Sequence, residues 1–362
     1  MKEKTLTTNL ILILLSLVAV SMLLFDIGTL PLILAFVLMS MLVVRNLNDI
    51  KWKYILLIAL CAVSCFCTLV LYQGTGVVLI FMTLLMACIA FNSISFSVNI
   101  RKYVSLITFI GILLVILTAK SISSTNGWLV VYDVNGNLIN NNTLGVYTVA
   151  FCFNFLIWND LRKGKKFKKL LYVAIYAISF VFAYITGCRS AMLVLLLYFV
   201  GYLLIRKPLS NRLFKAIITS VLFASLAFTV IYIGLYMIWP NAIVLGKSIF
   251  SGRQKIWLEV FEQIKISPLF GMGTEFASGG HESVHNMLLG IWKNVGFIPL
   301  IAIITVFVLK KRVNISRRQQ MMLISMCVFM FFESFMMDER FLLLFAFLMM
   351  GTKEIPKIEK ES

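Results

Sequence analysis

Long apolar runs separated by short polar breaks set the pattern of this chain. Runs long enough to cross a hydrocarbon core roughly 30 Å thick fall at 8–25, 27–44, 54–72, 77–96, 104–119, 143–158, 170–187, 191–205, 216–238, 286–309 and 320–337, and a shorter run at 341–351 makes a twelfth. A crossing segment has to satisfy its backbone polar groups internally, so these runs read as helices. The expected fold is all-α, a polytopic membrane protein of about 12 transmembrane helices forming a single integral domain over 1–362. Some runs are brief, which predicts tilt or irregular ends. No internal repeat or inverted symmetry is visible.

Two polar breaks are longer than the rest. Residues 120–142 contain Asn126 and Gly127 and an Asn/Gly-rich run from Asn135 to Asn142, which predicts turns or a small hairpin. Residues 239–285 hold both histidines of the chain, His281 and His285. Inside the second break, Ser251 followed by Gln254 matches a capping box. Ile256, Trp257, Val260, Phe261 and Ile264 then share one helical face, predicting an amphipathic helix in the membrane interface that Pro268 ends. Gly271 and Gly273, and then Gly279 and Gly280, predict tight turns before His281 and His285.

Composition supports the membrane reading. The chain is 61% hydrophobic and 13% charged, whereas soluble domains are roughly 45–50% apolar and about 25% charged. The net charge of +18 would suggest nucleic acid in a soluble protein, but here basic residues flank spans and fix topology, and no nucleic-acid partner is expected. With the N-terminus inside, 25 of the 33 Lys and Arg residues fall on inner segments. Both termini are then cytoplasmic, and 120–142 and 239–285 are outer loops. The inner loops are too short for a nucleotide-binding domain and carry no phosphate-loop motif, which argues against ATP or nucleotide-sugar chemistry inside the cell. The first apolar run leads straight into a second and reads as an anchor, not a cleavable signal peptide. The seven cysteines lie nearly all in apolar runs and form no metal-type grouping with histidine, so they read as small packing residues, and no metal site is expected.

The candidate chemistry is sparse. Arg253 opens the amphipathic helix, where free backbone N–H groups and a basic side chain can hold an anion; contact with lipid headgroups is the other reading. Arg189 stands between two apolar runs with almost no loop around it, at membrane depth or just outside, as an anion ligand or as a snorkelling side chain. His285 at the mouth of a span can act as a general base, with Asn286 orienting it or a substrate hydroxyl, or can serve as a cap or interface residue. Glu333 and Lys293 lie inside apolar runs and need partners, which each could supply to the other.

Three ordered pieces carry a resemblance. Thr186, Gly187, Cys188, Arg189, Ser190 and Ala191 form a span end. Gly252 and Arg253 precede Trp257, Pro268, Gly271 and Gly273. His285 and Asn286 precede Leu288, Leu289 and Gly296. Together they resemble the bacterial O-antigen ligase and polysaccharide polymerase (Wzy-type) superfamily of membrane glycosyltransferases, over roughly 185–300 and in the many-span layout around it. Cys188 stands where serine is more usual.

The resemblance implies a GT-C-like membrane enzyme that needs no cofactor or metal. Such enzymes transfer a glycan from an undecaprenyl-diphosphate-linked oligosaccharide to an acceptor hydroxyl at the outer face of the plasma membrane. Carried over by position, Arg189 and Arg253 bind the donor diphosphate and His285 activates the acceptor hydroxyl. Asn286, Glu333 and His281 are candidates for supporting them. A polymerase passes the chain to an incoming lipid-linked repeat unit, and a ligase passes it to another acceptor. The compact, lysine-rich build resembles capsule and exopolysaccharide polymerases, whose implied partners are the bilayer and a chain-length regulator and flippase of the same pathway. A flippase or transporter for the same lipid-linked glycans is the competing class, although it has no need for Arg253 and His285 on one loop. A membrane scaffold is a third.

Overall fold

Apolar runs become helices nearly everywhere in this chain, but the runs nearest the candidate residues break where the sequence looks continuous. The computed structural model describes residues 2–25, 29–119, 121–125, 128–132, 138–162, 167–241, 243–244, 247–248, 252–273, 284–308 and 315–352. Its helices are α1 (Lys2–Leu24), α2 (Leu30–Arg45), α3 (Trp52–Tyr72), α4 (Thr75–Ser93), α5 (Val98–Leu117), α6 (Asn141–Leu161), α7 (Lys168–Ile185), α8 (Arg189–Leu204), α9 (Asn211–Ile238), α10 (Arg253–Ile266), α11 (Met287–Val295), α12 (Phe297–Val308), α13 (Arg317–Phe329) and α14 (Glu339–Ala346). Among the described residues, seven helices (α1, α3, α4, α5, α6, α7 and α9) are long and apolar enough to cross a membrane, against the twelve spans expected. Helices α2, α8 and α12 are apolar but shorter. The protein is thus an all-α polytopic membrane protein.

The centre of the bundle is α4 and α6. Each is 83% buried along its most apolar window, against 28%, 17% and 28% for α3, α7 and α9. Exposed apolar side chains such as Leu60, Val63, Phe66 and Val70 on α3 form the kind of face that meets lipid chains. Helix α4 packs on α2, α3, α12 and α14, and α6 packs on α5, α7 and α8. In lipid the hydrophobic effect does not drive helices together, so close packing at small residues carries more of the work. Gly145 on α6 shows this: a Cβ there would lie 2.0 Å from Cys188 Sγ and 3.1 Å from Ala191 Cβ. That approach seats the start of α8 against the bundle centre.

Short strands decorate the bundle. β1 (Ser95–Phe96) pairs in parallel with β7 (Gly351–Thr352), tying the α4–α5 connection to the segment after α14. β2 (Ser121–Thr125), β3 (Trp128–Tyr132) and β4 (Leu138–Ile139) form an antiparallel sheet, the hairpin expected of 120–142, although Asn126 and Gly127 lie outside the described residues. β5 (Ile243–Val244) and β6 (Lys247–Ser248) pair antiparallel between α9 and α10.

Three expectations are corrected near the end of the chain. The run 286–309 is two helices, because Gly296 sits at φ +95 and no ordinary residue continues a helix through that conformation. The run 320–337 is α-helical only to Phe329 and ends in a 3₁₀ turn at Phe335–Met337. Between the two the chain turns through 330–334, and Met330 O accepts a hydrogen bond from Met287 N at 3.0 Å. Irregular backbone is tolerated at membrane depth where protein covers it. The run 341–351 gives a short buried helix and a 3₁₀ turn, not a span.

The break at Gly296 is locked by its neighbours. Phe297 N and Trp292 Nε1 both donate to Pro268 O at 3.0 Å. A Cβ on Gly296 would lie 1.9 Å from Leu269 O. Gly296→Ala should therefore destabilise the protein by at least about 3 kcal/mol, from backbone conformation and clash together. The check is folded yield and thermal unfolding of the detergent-solubilised protein, both expected to drop.

Candidate functional site

Three helices begin at one place. Arg189 and Ser190 are the first residues of α8, Arg253 is the first residue of α10, and His285 immediately precedes Asn286, the N-cap of α11. Helix N-termini present unpaired N–H groups and the positive end of the dipole, so their convergence suits negative charge. The carboxylate that meets them is Glu333, held in the break between α13 and α14.

The geometry around Glu333 is specific. Ser190 Oγ donates to Oε1 at 3.2 Å, and Arg253 Nη2 donates to the same oxygen at 3.3 Å. His285 Nδ1 lies 3.4 Å from Oε2. The Glu333 side chain is only 6% exposed, against 18% for Arg253 and 21% for His285. A buried carboxylate is costly unless charge and hydrogen bonds compensate it, and here all its side-chain partners among the described residues are these three. The pairing of Glu333 with Lys293 left open by the sequence is replaced by this arrangement. Lys293 is fully buried in α11, and its carbonyl accepts from Met272 N at 2.7 Å.

Among the described residues, Arg253 is engaged through one terminal nitrogen, at a distance longer than the ~2.7–2.9 Å of strong charge-assisted bonds. Most of its planar fork stays available for a second anion. Its helix has Gly252 as N-cap, at φ +86 and without a side-chain cap; the capping box expected from Ser251 lies outside the described residues. Helix α10 buries the apolar face that its periodicity predicts. Ile256, Trp257, Val260 and Ile264 are buried in a cluster with Ile233 of α9 and with Val284 and Leu289, so the apolar face of this helix packs on protein.

His285 is held from both sides. Trp257 Nε1 donates to Val284 O at 2.8 Å, fastening the preceding residue to α10. Asn286 is fully buried. Its Oδ1 accepts from Leu289 N at 3.0 Å, and its Nδ2 donates to Ser225 Oγ at 3.1 Å. Asn286 thus caps α11 and ties it to α9. Between these anchors His285 sits at φ +52, a left-handed conformation uncommon for a side chain of its size. Nδ1 faces Glu333, which places Nε2 on the opposite edge of the ring.

Arg189 is exposed beside Ser190 and makes no hydrogen bond or ion pair with the described residues. Cys188 is buried, and its Sγ lies 3.4 Å from Ser190 Oγ. Burial pushes its thiol above the ordinary range, so it acts as a small neutral neighbour and not as a nucleophile. His281, Gly279 and Gly280 lie outside the described residues. The structure therefore unites Arg253, His285, Glu333 and Ser190, with Arg189 adjacent to Ser190 in sequence. Ser190 stands in the span-end motif, but a lone serine there carries no sequence signal that separates it from an ordinary helix-start residue.

Comparison with known proteins agrees with this region. A family model described as O-antigen ligase matches residues 174–304, which include Arg189, Arg253 and His285 and stop short of Glu333. No curated protein and no solved structure matches the chain.

Proposed function

We propose that this chain, which carries an O-antigen ligase family domain over residues 174–304, is a membrane glycosyltransferase that polymerises lipid-linked oligosaccharide repeat units. Transfer runs from an undecaprenyl diphosphate donor to a sugar hydroxyl of an incoming lipid-linked unit, at the outer face of the plasma membrane, with inversion and without a metal. The observation that carries the reading is the meeting of Arg253 and His285 on Glu333 at converging helix starts.

In this mechanism Arg189 and Arg253 hold the diphosphate. The leaving group is already good, so fixed positive charge on it is the main requirement. Arginine suits the task because its planar fork meets phosphate oxygens in pairs. His285 Nε2 takes the proton of the acceptor hydroxyl. The new bond forms between that oxygen and the anomeric carbon, while the bond from this carbon to the phosphate oxygen breaks. The electron pair leaves on the diphosphate. Attack opposite the leaving group inverts configuration. Glu333 and Asn286 position the base.

A second acceptor is supported by the family description, a ligase: transfer to a molecule other than another repeat unit. One experiment separates the readings. Purified protein is incubated with a single lipid-linked repeat unit, without metal or nucleotide. A ladder of products is the expected result; no product until a different acceptor is supplied identifies a ligase. Movement of the lipid-linked unit across vesicles with no covalent product would identify a flippase.

A further inference from the structure

The position of Glu333 gives it a task that the transfer chemistry alone does not assign. We propose that Glu333 is a positioning residue that competes with the donor diphosphate for Arg253, so that donor binding transfers Arg253 to the phosphate and leaves the carboxylate to Ser190 and His285. The proposal rests on the glycosyltransferase reading.

The geometry supports an exchange and not a permanent pair. Arg253 and Ser190 share one oxygen, Oε1, while His285 faces the other, Oε2. Arg253 can therefore leave without disturbing the contact that orients the imidazole. Its hold is a single 3.3 Å contact, whereas a phosphate can take two N–H groups of the fork at once. Arg253 is also three times as exposed as Glu333, at 18% against 6%, so an incoming anion reaches the guanidinium while the carboxylate stays inside. Ser190 keeps a donor on Oε1 after the exchange, which limits the cost of a buried carboxylate losing its cation. With Arg253 drawn away, the Glu333 charge acts more strongly on His285, so the ring becomes a better proton acceptor once the donor is in place. Donor occupancy and base strength are then linked through one carboxylate.

The test compares full-length purified wild type, Glu333→Gln and Ser190→Ala in detergent. The binding probe is a polyprenyl diphosphate without sugar, and turnover is measured with a lipid-linked repeat unit. Glu333→Gln removes the competitor and should bind the probe about threefold tighter or more, because the competent fraction of Arg253 rises. Its kcat should fall on the order of tenfold with KM lower as well, a split that separates base positioning from loss of donor binding. Ser190→Ala leaves Oε1 to Arg253 alone and should weaken probe binding, the opposite sign. It keeps the proposal testable where Glu333→Gln fails to fold. Weaker or unchanged binding by a folded Glu333→Gln, an unchanged kcat, or tighter binding by Ser190→Ala would overturn the exchange. A wild type that does not bind the diphosphate, or an Arg253→Ala that binds it equally well, would instead overturn the glycosyltransferase reading itself.

Discussion

His285→Ala should abolish detectable long-chain polymer, a loss of at least about 100-fold in rate, while protein level and membrane insertion remain those of wild type. The loss is large because the other side chains that meet Glu333 among the described residues, Arg253 and Ser190, are a donor-only guanidinium and a weakly basic hydroxyl, and burial pushes the neighbouring Cys188 thiol above its ordinary range. Folding should survive because the anchors of this segment are elsewhere. Trp257 holds Val284 O, and Asn286 caps α11. His285→Asn is the sharper variant. Asparagine tolerates the φ of +52 and can still donate to Glu333, but cannot accept the proton. It should be as inactive as alanine. Polymer of normal length, read on a gel from cells carrying either variant, would remove the general-base role.

Arg253→Lys should lose about 10–100-fold in kcat/KM, nearly as much as Arg253→Ala, since a point charge lacks the paired N–H groups that meet a phosphate. Arg253→Ala carries a second effect. It strips the cation from the buried Glu333, and breaking such a pair from one side destabilises a protein. The double variant Arg253→Ala, Glu333→Gln separates the two, since it should recover thermal stability and stay inactive. Arg189 provides the contrast. It is exposed and has no ion pair among the described residues, so Arg189→Ala should leave stability within roughly 0.5 kcal/mol of wild type and still cut turnover. Full chain length in both Arg253 variants would rule out a diphosphate role for that residue.

The helices were legible because hydropathy and the cost of open backbone in lipid point the same way. Their interruptions were not. Around Gly296 the residues are as apolar as in any span, and only the φ of +95 and the closeness of Leu269 O reveal the break. The face of α10 was legible from periodicity, but periodicity cannot tell a lipid surface from α9 and α11. Arg253 and His285 stood out as charge-bearing groups at the ends of apolar segments. Glu333 stood out only as a buried acid in search of a partner. Its contacts span 48 residues to His285, 80 to Arg253 and 143 to Ser190, separations at which a single sequence holds no pairing information. Lys293 was the nearer guess on charge alone, and the turn after α13 is what sends the carboxylate elsewhere.

The segment 274–283 is bounded by two independent fastenings. On one side Gly273 N donates to Asn294 O at 2.9 Å, with Gly273 itself pressed against Gly74 and Tyr72. On the other, Val284 O is held by Trp257. The strain of a longer or shorter connection stops at these two points and does not reach His285. Lengthening the chain between two fixed ends adds little closure entropy, about 0.6 kcal/mol for each doubling. Descendants of this chain should therefore change in length between Gly273 and Val284 sooner than they change any residue that touches Glu333.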